Sequence, residues 1–447
     1  MGFFYFFSFS EYRYVIIFKT SMKKFFLILF LFVGLWGCAG PSSYAVNQDS
    51  AQAMQSGRGK DYQDYLSFFE EVYRTMEENY YFSVSRDRYE RFLKMFDAKI
   101  YPQLQRSRKS DNYIKWRSSA YLVDYLKNQE DIFSAFFPPK AADDYEKEVL
   151  GKRIDLGLEG VMTPDGFRLY HIEPRSDAYE KGLRPKDYIL QVDRKPLEGM
   201  SEEEIRELLT PLEGSRVEIQ FREDVSQIEK TVSLESREYF KQTVFLVPVN
   251  VPGVYCLQIK RFNRKTSEDL TLFMSHILRQ GGQDLILDLR GNPGGPPLAA
   301  REISAFFLPP HEEFAYFQRK DKPRAVLDVP QIPEQFHYRG NIVILVDKES
   351  GSASELFSGI LQSKGRAEIL GTNTAGQVFL KSMFNFEDES MVLLVTARGF
   401  HPDGTMFSFR GIDPDQVLSG EQDLVRIAAE YLYAKRQKPK PTEEESP

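Results

Sequence analysis

The sequence predicts a protein of several domains, in which a helical region and a compact β-rich domain precede an α/β core. Three observations support this prediction. Apolar residues recur at helical spacing from residue 61 to about residue 145. Short β-type runs separated by turn signals fill residues 150–236, and strands alternate with helices from Gly253 onward. A chain of 447 residues is long enough for two or three such domains.

Composition narrows the classes of function. Charged residues make up 28% and apolar residues 42%, which is typical of a soluble globular chain. The net charge of −7 and the absence of a basic stripe argue against nucleic acid as a partner. Two cysteines, Cys38 and Cys256, and five scattered histidines favour neither a disulfide framework nor a metal site. We therefore expect no metal and no cofactor.

The beginning of the chain carries an export signal. Two lysines precede the apolar run Phe25–Trp36, whose 12 residues are too few to span a bilayer as a helix. The run ends at Leu35-Trp36-Gly37-Cys38, which resembles a bacterial lipobox and implies that Cys38 is lipidated after cleavage. Ordinary secretory cleavage near Ala39 or Ala45 is the alternative. The expected location is the bacterial cell envelope, with a lipid anchor that faces the periplasm or the cell exterior.

These signals predict the layout of the chain. Residues 1–37 form an upstream extension and a lipoprotein signal peptide, and residues 38–60 form a polar tether. Residues 61–149 form the helical region. One apolar helix face consists of Leu66, Phe69, Tyr73, Met76 and Tyr80, and a second consists of Tyr89, Phe92, Phe96 and Ile100. Residues 436–447, which are rich in Lys, Pro and Glu, are expected to be a disordered tail.

Residues 150–236 read as short strands with one late helix, which together make a compact, partly open β-barrel. The predicted strands are Arg168–Ile172, Tyr188–Val192, Val217–Phe221 and Lys230–Leu234. The helix begins at Ser201, with Glu204 three residues later as in a capping box.

Several motifs in this domain resemble those of a PDZ domain of the kind carried by bacterial carboxyl-terminal processing peptidases. They are Ile154-Asp155-Leu156-Gly157-Leu158, Ile172-Glu173-Pro174 and the run from Lys181 to Leu190. The resemblance implies that a peptide adds as a strand beside the late helix, where Ile205 and Leu209 contact it. Backbone N–H groups of Leu156, Gly157 and Leu158 would then hold its terminal carboxylate.

The α/β core begins with the strand Val254–Ile259, the helix Ser267–Arg279 and the strand Leu285–Leu289. After the strand Ile342–Val346, a turn of small residues leads to a helix that starts near Ala353. Ser352 therefore lies at a helix N-terminus, where its hydroxyl could attack a carbonyl and the Ala353 N–H could bind the oxyanion. The alternative is that Ser350 or Ser352 only caps the helix.

Two longer motifs resemble the core of the carboxyl-terminal processing (tail-specific) serine peptidase family. They are Leu287-Asp288-Leu289-Arg290-Gly291-Asn292-Pro293-Gly294-Gly295 and Ser350-Gly351-Ser352-Ala353-Ser354-Glu355-Leu356. The resemblance implies a peptidase core over residues 237–435 with Ser352 as the nucleophile. It places the oxyanion donors in the backbone at Ala353 and around Gly294 and Gly295.

One position departs from the family pattern. The family activates its serine with a lysine in Phe-Gly-Lys-Gly-x-x-Gln, whereas this chain reads Ala375-Gly376-Gln377-Val378-Phe379-Leu380-Lys381. Gln377 and Lys381 thus stand in exchanged positions, and on a regular strand they would face the same side. We hypothesise that Lys381 acts as the base and that Gln377 orients it. A second branch of the superfamily uses Ser, His and Glu, but the expected acidic residue is absent, since Ser408 and Arg410 lie there.

His401 and the pair Asp288 and Arg290 are further candidates for the site. His401 precedes a proline in a turn and is expected to be a polar surface residue rather than the base. Asp288 and Arg290 are expected to pair with each other and to brace the turn. Taken together, the sequence predicts an envelope serine endopeptidase whose substrates are proteins or peptides with free C-termini. The alternative is a catalytically inactive PDZ-bearing binding or scaffold lipoprotein of the same fold.

Overall fold

The computed structural model describes residues 60–107, 109–418 and 423–437. The signal peptide, the lipidation predicted at Cys38, most of the tether and residues 438–447 of the tail lie outside these ranges. Among the described helices, none combines the length and the apolar character that crossing a membrane requires.

The first part of the described chain is helical, as predicted. Its elements are α1 Lys60–Asn79, α2 Arg86–Met95, a π-helical turn Phe96–Ile100, α3 Tyr101–Arg106, α4 Asp111–Leu126, the short strand β1 Ala135–Phe137 and α5 Pro139–Leu150. Ser85 caps α2 by accepting a hydrogen bond from the Arg88 N–H. The apolar faces predicted from the sequence are buried, with Phe69 and Phe92 entirely so, except that Leu66 and Ile100 are partly buried.

An antiparallel domain follows. Its elements are β2 Lys152–Asp155, β3 Leu158–Thr163, β4 Gly166–Ile172, α6 Asp177–Glu180, β5 Tyr188–Val192, β6 Lys195–Pro196, α7 Glu202–Leu209, β7 Arg216–Arg222, β8 Glu229–Glu235 and β9 Arg237–Phe240. The main sheet has the order β3-β4-β5-β7-β8, whereas β2 pairs with β9. The capping box predicted at Ser201 and Glu204 is present at the start of α7. All four predicted strands occur within one or two residues of their expected limits.

The core contains ten strands. Its elements are β10 Val244–Val247, β11 Val254–Ile259, α8 Thr266–Arg279, β12 Asp284–Asp288, α9 Pro297–Ser304, β13 Glu313–Gln318, β14 Ala325–Asp328, a 3-10 turn Glu334–Phe336, β15 Asn341–Val346, α10 Ala353–Ser363, β16 Glu368–Gly371, β17 Phe379–Asn385, β18 Met391–Phe400, β19 Gln416–Val417 and α11 Leu424–Gln437. One sheet has the order β10-β11-β12-β15-β16-β19 and is parallel from β11 to β19. This mixed architecture confirms the predicted fold class.

Both faces of the parallel sheet are covered, which explains why its strands read as continuous apolar runs. Leu257 and Leu285 point into a core shared with α8, α9 and α10. Val254 and Cys256 point to the opposite face, where α11 packs. In such sheets, functional groups collect beyond the carboxyl ends of the strands, and the loops after β12 and β15 occupy that position here.

A second sheet connects the helical region to the core. β1 pairs with β18, and β18 also pairs with β17 and β13. Phe379 of β17 and Val392 of β18 are buried in the same apolar cluster as Phe69 and Phe92 of the helices. The helical region therefore packs directly on the strand that carries Lys381.

Candidate active site

Ser352 occupies an unusual backbone conformation at the start of α10. Its φ is +52° and its ψ is −112°, whereas Ser201, an ordinary N-cap, has φ −71° and ψ 156°. Non-glycine residues with positive φ cost free energy and tend to occur where function requires them. The side chain is half-buried. Ser352 also forms a capping box with Glu355, so it caps α10 in a backbone conformation unlike that of Ser201.

The serines on either side of Ser352 hold the turn in place. The Ser350 hydroxyl donates to the Leu289 carbonyl at 2.8 Å, and the Ser354 hydroxyl donates to the Asn292 carbonyl at 2.9 Å. Both acceptors lie in the loop after β12. Ser350 and Ser354 therefore join the Ser352 turn to the loop that carries the glycine pair.

Gly294 lies against the Ser352 turn so closely that no side chain fits. A Cβ atom at Gly294 would lie 2.8 Å from the Ala353 nitrogen and 2.8 Å from the Ser352 Cβ. At Gly295, a Cβ atom would lie 2.0 Å from the Phe262 carbonyl oxygen. Both glycines also have positive φ. The two loops predicted to form an oxyanion site are thus adjacent.

The donors at this position differ from the expectation in one respect. The Gly294 N–H donates to Asn292 Oδ1 at 2.9 Å, so it is not free to bind an oxyanion. Within the described ranges, the N–H groups of Ala353 and Gly295 have no hydrogen-bond partner. Of the three predicted oxyanion residues, Ala353 and Gly295 keep available donors.

Glu355 links the Ser352 turn to the segment that contains Gln377. This carboxylate is fully buried. It accepts four hydrogen bonds, from Ser352 N–H at 2.8 Å, Thr374 Oγ1 at 2.6 Å, Gly376 N–H at 2.6 Å and Gln377 N–H at 2.7 Å. Donors of this kind satisfy a buried charge. Glu355 therefore sets the distance between the predicted nucleophile and the predicted base segment.

Gln377 and Lys381 do not lie on one regular strand. β17 starts at Phe379, after Gln377, and its pairing with β18 shifts register between Leu380 and Lys381. The alternation argument for a shared side of a strand is therefore wrong. The Gln377 amide oxygen nevertheless lies beside the Ser352 turn, 3.7 Å from the position of a Cβ atom on Gly351.

The Lys381 ammonium lies in an apolar and acidic environment. Its Nζ is 4.8 Å from the centroid of the Phe133 ring. Burial lowers the pKa of Lys381, and the carboxylates of Asp131 and Glu355 act in the opposite direction. Among the residues that the structure describes, no hydrogen-bond or ion-pair partner of Lys381 is found. The amine makes no hydrogen bond to Ser352 in this conformation, and it is free of competing contacts.

Comparison with known proteins identifies the core. Residues 253–418 match the model of peptidase family S41. A probable CtpA-like serine protease of Staphylococcus saprophyticus is 23% identical over 370 residues, which cover 81% of this chain and 67% of the relative. A probable CtpA-like serine protease of Staphylococcus epidermidis is 24% identical over 371 residues, with coverages of 82% and 68%. These matches support an S41-type peptidase core in this chain.

A solved structure supports the same fold. The tricorn protease superposes with a TM-score of 0.53 at 14% identity, over 84% of this chain and 37% of that protein. The match of residues 253–418 to family S41 and the CtpA-like relatives support a serine-type peptidase, a hydrolase that acts on protein or peptide substrates. This chain spans about two thirds of the length of the two staphylococcal relatives.

A loop of the helical region that no sequence motif indicates reaches the surroundings of Lys381. Asp131 is buried and accepts hydrogen bonds from the Tyr80 hydroxyl at 2.6 Å, Phe133 N–H at 2.8 Å and Ser134 N–H at 2.9 Å. These bonds fix Phe133 beneath the Lys381 amine. The loop is about 250 residues from Lys381 in sequence, so no local motif could have indicated the contact.

Two predictions on secondary candidates have different outcomes. Asp288 and Arg290 pair through two hydrogen bonds of 2.8 Å, as predicted. The prediction that His401 is a polar surface residue is wrong. Its ring stacks on Phe407 at 4.0 Å, and burial lowers its pKa. Its Cε1 lies beside Gly359, which is two helical turns, or roughly 10 Å, beyond Ser352 along α10.

The residues predicted to bind a peptide C-terminus lie together, but two of the expected donors are engaged. The Leu156 N–H donates to the Leu209 carbonyl at 3.2 Å, and the Gly157 N–H donates to Asp155 Oδ1 at 2.7 Å. Leu209 and Ile205 are buried, and Leu158 is partly buried. Gly157 is required there because a Cβ atom would lie 2.2 Å from the Ser176 Cβ.

The described residues contain no group of three or more His, Cys, Asp or Glu side chains arranged to hold a metal ion.

Proposed function

We propose that this chain is an exported serine endopeptidase in which Ser352 attacks the peptide carbonyl and Lys381 accepts the serine proton. The observation that carries the proposal is the state of the Lys381 amine. It is desolvated beside Phe133, its pKa is lowered, and it has no partner among the described residues. A lysine must be neutral to act as a base, and both burial and the lack of a partner favour the neutral form.

The chemistry follows from the groups around Ser352. The Ser352 oxygen bonds to the carbonyl carbon while its proton passes to the Lys381 nitrogen. Donors at Ala353 and Gly295 face the developing oxyanion, where charge stabilisation has its largest effect. The C–N bond then breaks, and Lys381 returns the proton to the leaving amine. Water hydrolyses the acyl-Ser352 ester by the same proton transfers.

The test compares the parent chain with a Ser352→Ala variant on an unfolded polypeptide. We expect the parent to cleave internal bonds and the variant to lose at least about 10³-fold in rate, since only binding and oxyanion contacts remain. A mass shift at Ser352 after trapping of the acyl intermediate would support the assignment. Equal cleavage by both proteins would overturn it.

The alternative function is a binding protein of the same fold without catalysis. The observation in its favour is Gln377, whose amide occupies the place beside the Ser352 turn that the family gives to a lysine. A Gln377→Lys/Lys381→Gln double variant distinguishes the two. If the parent is silent and the double variant cleaves, the natural protein is a scaffold. If the parent cleaves and the double variant gains nothing, it is an enzyme.

We further propose that residues 150–236 form a PDZ domain that captures free C-termini. The order of strands around α7 supports this, and binding would require the Leu156 and Gly157 N–H groups to leave their present acceptors. A free-acid peptide should bind the Ser352→Ala variant, and the same peptide with an amidated C-terminus should not. Equal affinity for the two would remove this role.

The proposed location is the bacterial envelope, with a lipid on Cys38 as the anchor. The support is the lipobox-like run before Cys38. A Cys38→Ser variant should appear in the soluble fraction, whereas the parent should sediment with membranes. If the variant also sediments, the anchor lies elsewhere.

A further inference from the structure

A basic cleft lies between the antiparallel domain and the parallel sheet. Its volume is about 400 Å³, within the range of ligand sites. Tyr170 and His171 of β4 form one side, and Phe245 of β10 forms part of the other. Its charged residues are the five cations Lys152, Arg153, Lys241, Lys260 and Arg261, and the three acids Glu148, Glu159 and Glu173.

The cations of this cleft exceed their partners. Three are paired, as Lys152–Glu238 at 3.0 Å, Lys241–Glu159 at 3.2 Å and Arg261–Glu148 at 3.2 Å. In the described part of the chain, no acidic partner of Lys260 or Arg153 is found, and both are exposed. The Lys260 Nζ instead lies 4.9 Å from the Phe245 ring centroid. An acidic ligand would match these two charges.

The strand beside the cleft has an open edge. Among the described strands, β10 pairs only with β11. The Lys260 N–H donates to the Thr243 carbonyl at 2.9 Å, so Thr243 faces Lys260 at a hydrogen-bonded position of the ladder, although the Thr243 N–H donates to Asp269 Oδ2 instead. Because such pairs alternate along a ladder, Val244 and Leu246 direct their N–H groups to the outer edge. The Val244 carbonyl at this edge accepts a hydrogen bond from Gln242 Nε2 at 2.8 Å, so the open part of the edge, which is a template for an added strand, lies at Leu246.

The end of α11 places an acidic segment within reach. Arg436 donates to the Pro252 carbonyl at 2.9 Å and pairs with Asp284 at 3.0 Å, so α11 ends beside the start of β11. Residues 438–447 read Lys-Pro-Lys-Pro-Thr-Glu-Glu-Glu-Ser-Pro. Lysine and proline alternate in the first four residues, which favours an extended spacer, and Glu443–Glu445 follow.

The extended length of residues 438–445 is similar to the distance from the start of β11 to Lys260. Lys260 directly follows β11 and lies seven residues after Gly253, about 23 Å for an extended chain at 3.3 Å per residue. It also lies on the same face as Val254 and Cys256, the face that α11 covers. At 3.1 Å per residue, Glu443 lies about 19 Å and Glu445 about 25 Å from Gln437. The acidic triplet therefore spans the distance to the unpaired cations.

We propose that residues 438–447 of this chain dock in the basic cleft, with Glu443–Glu445 at Lys260 and Arg153 and with the backbone beside the open edge of β10. The contact would join the antiparallel domain to the sheet, since Arg153 and Lys260 belong to different parts of the cleft. It is independent of the peptidase mechanism and of the proposed capture of C-termini.

The test uses a fluorescent peptide with the sequence of residues 438–447, added to the Ser352→Ala chain with and without its own residues 438–447. A tethered segment has an effective concentration of about 1 mM, so a peptide that binds with a Kd near 0.1 mM should bind the full chain roughly ten-fold more weakly. Lys260→Glu in the shortened chain should abolish binding, whereas Lys99→Glu, an exposed lysine away from the cleft, should not.

A second measurement, of amide hydrogen exchange, does not depend on the folding of the Lys260 and Lys99 variants. Amide hydrogen exchange at Leu246 should be slower in the full chain than in the shortened chain. A peptide with Gln at its three Glu positions should bind neither. Equal peptide affinity for the full and shortened chains, together with equal exchange at Leu246, overturns the proposal. Binding that survives Lys260→Glu would place the acidic segment elsewhere.

Discussion

The two halves of the candidate catalytic site are held in different ways. On the nucleophile side, the buried Glu355 carboxylate accepts four hydrogen bonds, and Ser350 and Ser354 donate to the neighbouring loop. On the base side, the Lys381 amine is placed by packing alone, over Phe133 and beside a register shift in β17. Hydrogen bonds therefore hold the proposed nucleophile, whereas packing holds the proposed base.

This difference has a chemical consequence. Hydrogen bonds with good geometry hold the Ser352 backbone in a conformation that would otherwise be costly. A lysine bound by several acceptors would stay protonated and could not serve as a base. A rigid nucleophile and an unbound amine are both what a Ser–Lys pair requires.

Removing the amine tests the comparison most severely. A Lys381→Ala variant should lose about 10²- to 10⁴-fold in kcat/KM, which is the usual contribution of a general base. Its melting temperature and its affinity for a C-terminal peptide should stay close to those of the parent. Lys381→Arg should not restore the rate, because a guanidinium remains protonated.

The matched control for this variant is Lys348→Ala, since Lys348 is exposed in the turn before Ser352. It should cleave like the parent. If Lys381→Ala also cleaves like the parent, then the contrast between a fixed nucleophile and a free base is mistaken, and another group takes the proton.

The hydrogen bonds that Glu355 accepts predict an effect on the free energy of unfolding. Glu355→Ala leaves the N–H groups of Ser352, Gly376 and Gln377 without their acceptor in a buried setting. Each such loss costs about 1–3 kcal/mol, so the free energy of unfolding should fall by at least about 3 kcal/mol. Chemical denaturation of the variant measures this. Glu349→Ala, an exposed glutamate of the same turn, should change stability by less than about 0.5 kcal/mol.

The Ser352 turn and the surroundings of Lys381 differ in how far the sequence predicts them. β11 and β15, the helix from Ala353 and the glycine requirement at Gly294 follow from local periodicity and short motifs. The environment of Lys381 depends on a loop near Asp131 that is distant in sequence, and on a register shift that no residue pattern marks. Local spacing therefore predicted the turn and helix at Ser352, and the family resemblance implied its role as nucleophile. The surroundings of Lys381 depend on tertiary packing.

The pH dependence of cleavage reports the charge of the Lys381 amine. Below the lowered pKa of Lys381, kcat/KM should rise about ten-fold per pH unit, and it should level off well before pH 10.5, the ordinary value. Asp131 raises the pKa, so Asp131→Asn should move the plateau to lower pH. Glu130→Gln, a change at the exposed neighbour, should leave it in place. An unmoved plateau in Asp131→Asn would mean that Lys381 is not the titrating group.

In the antiparallel domain, an internal hydrogen bond competes with the proposed peptide carboxylate. There, the Asp155 carboxylate accepts the Gly157 N–H at 2.7 Å, where the proposed peptide carboxylate would bind. Asp155→Ala removes this internal competitor. Because one hydrogen bond contributes about 0.5–1.5 kcal/mol net, affinity for a free-acid peptide should rise about two- to ten-fold. Titration with free-acid and amidated peptides measures this affinity. The control is Asp165→Ala, a change at an exposed aspartate of the β3–β4 turn.

Asp155 also accepts a hydrogen bond from the Tyr239 hydroxyl, so the melting temperature must be measured in parallel. Weaker binding by a variant that remains folded would show that this loop does not hold peptide C-termini.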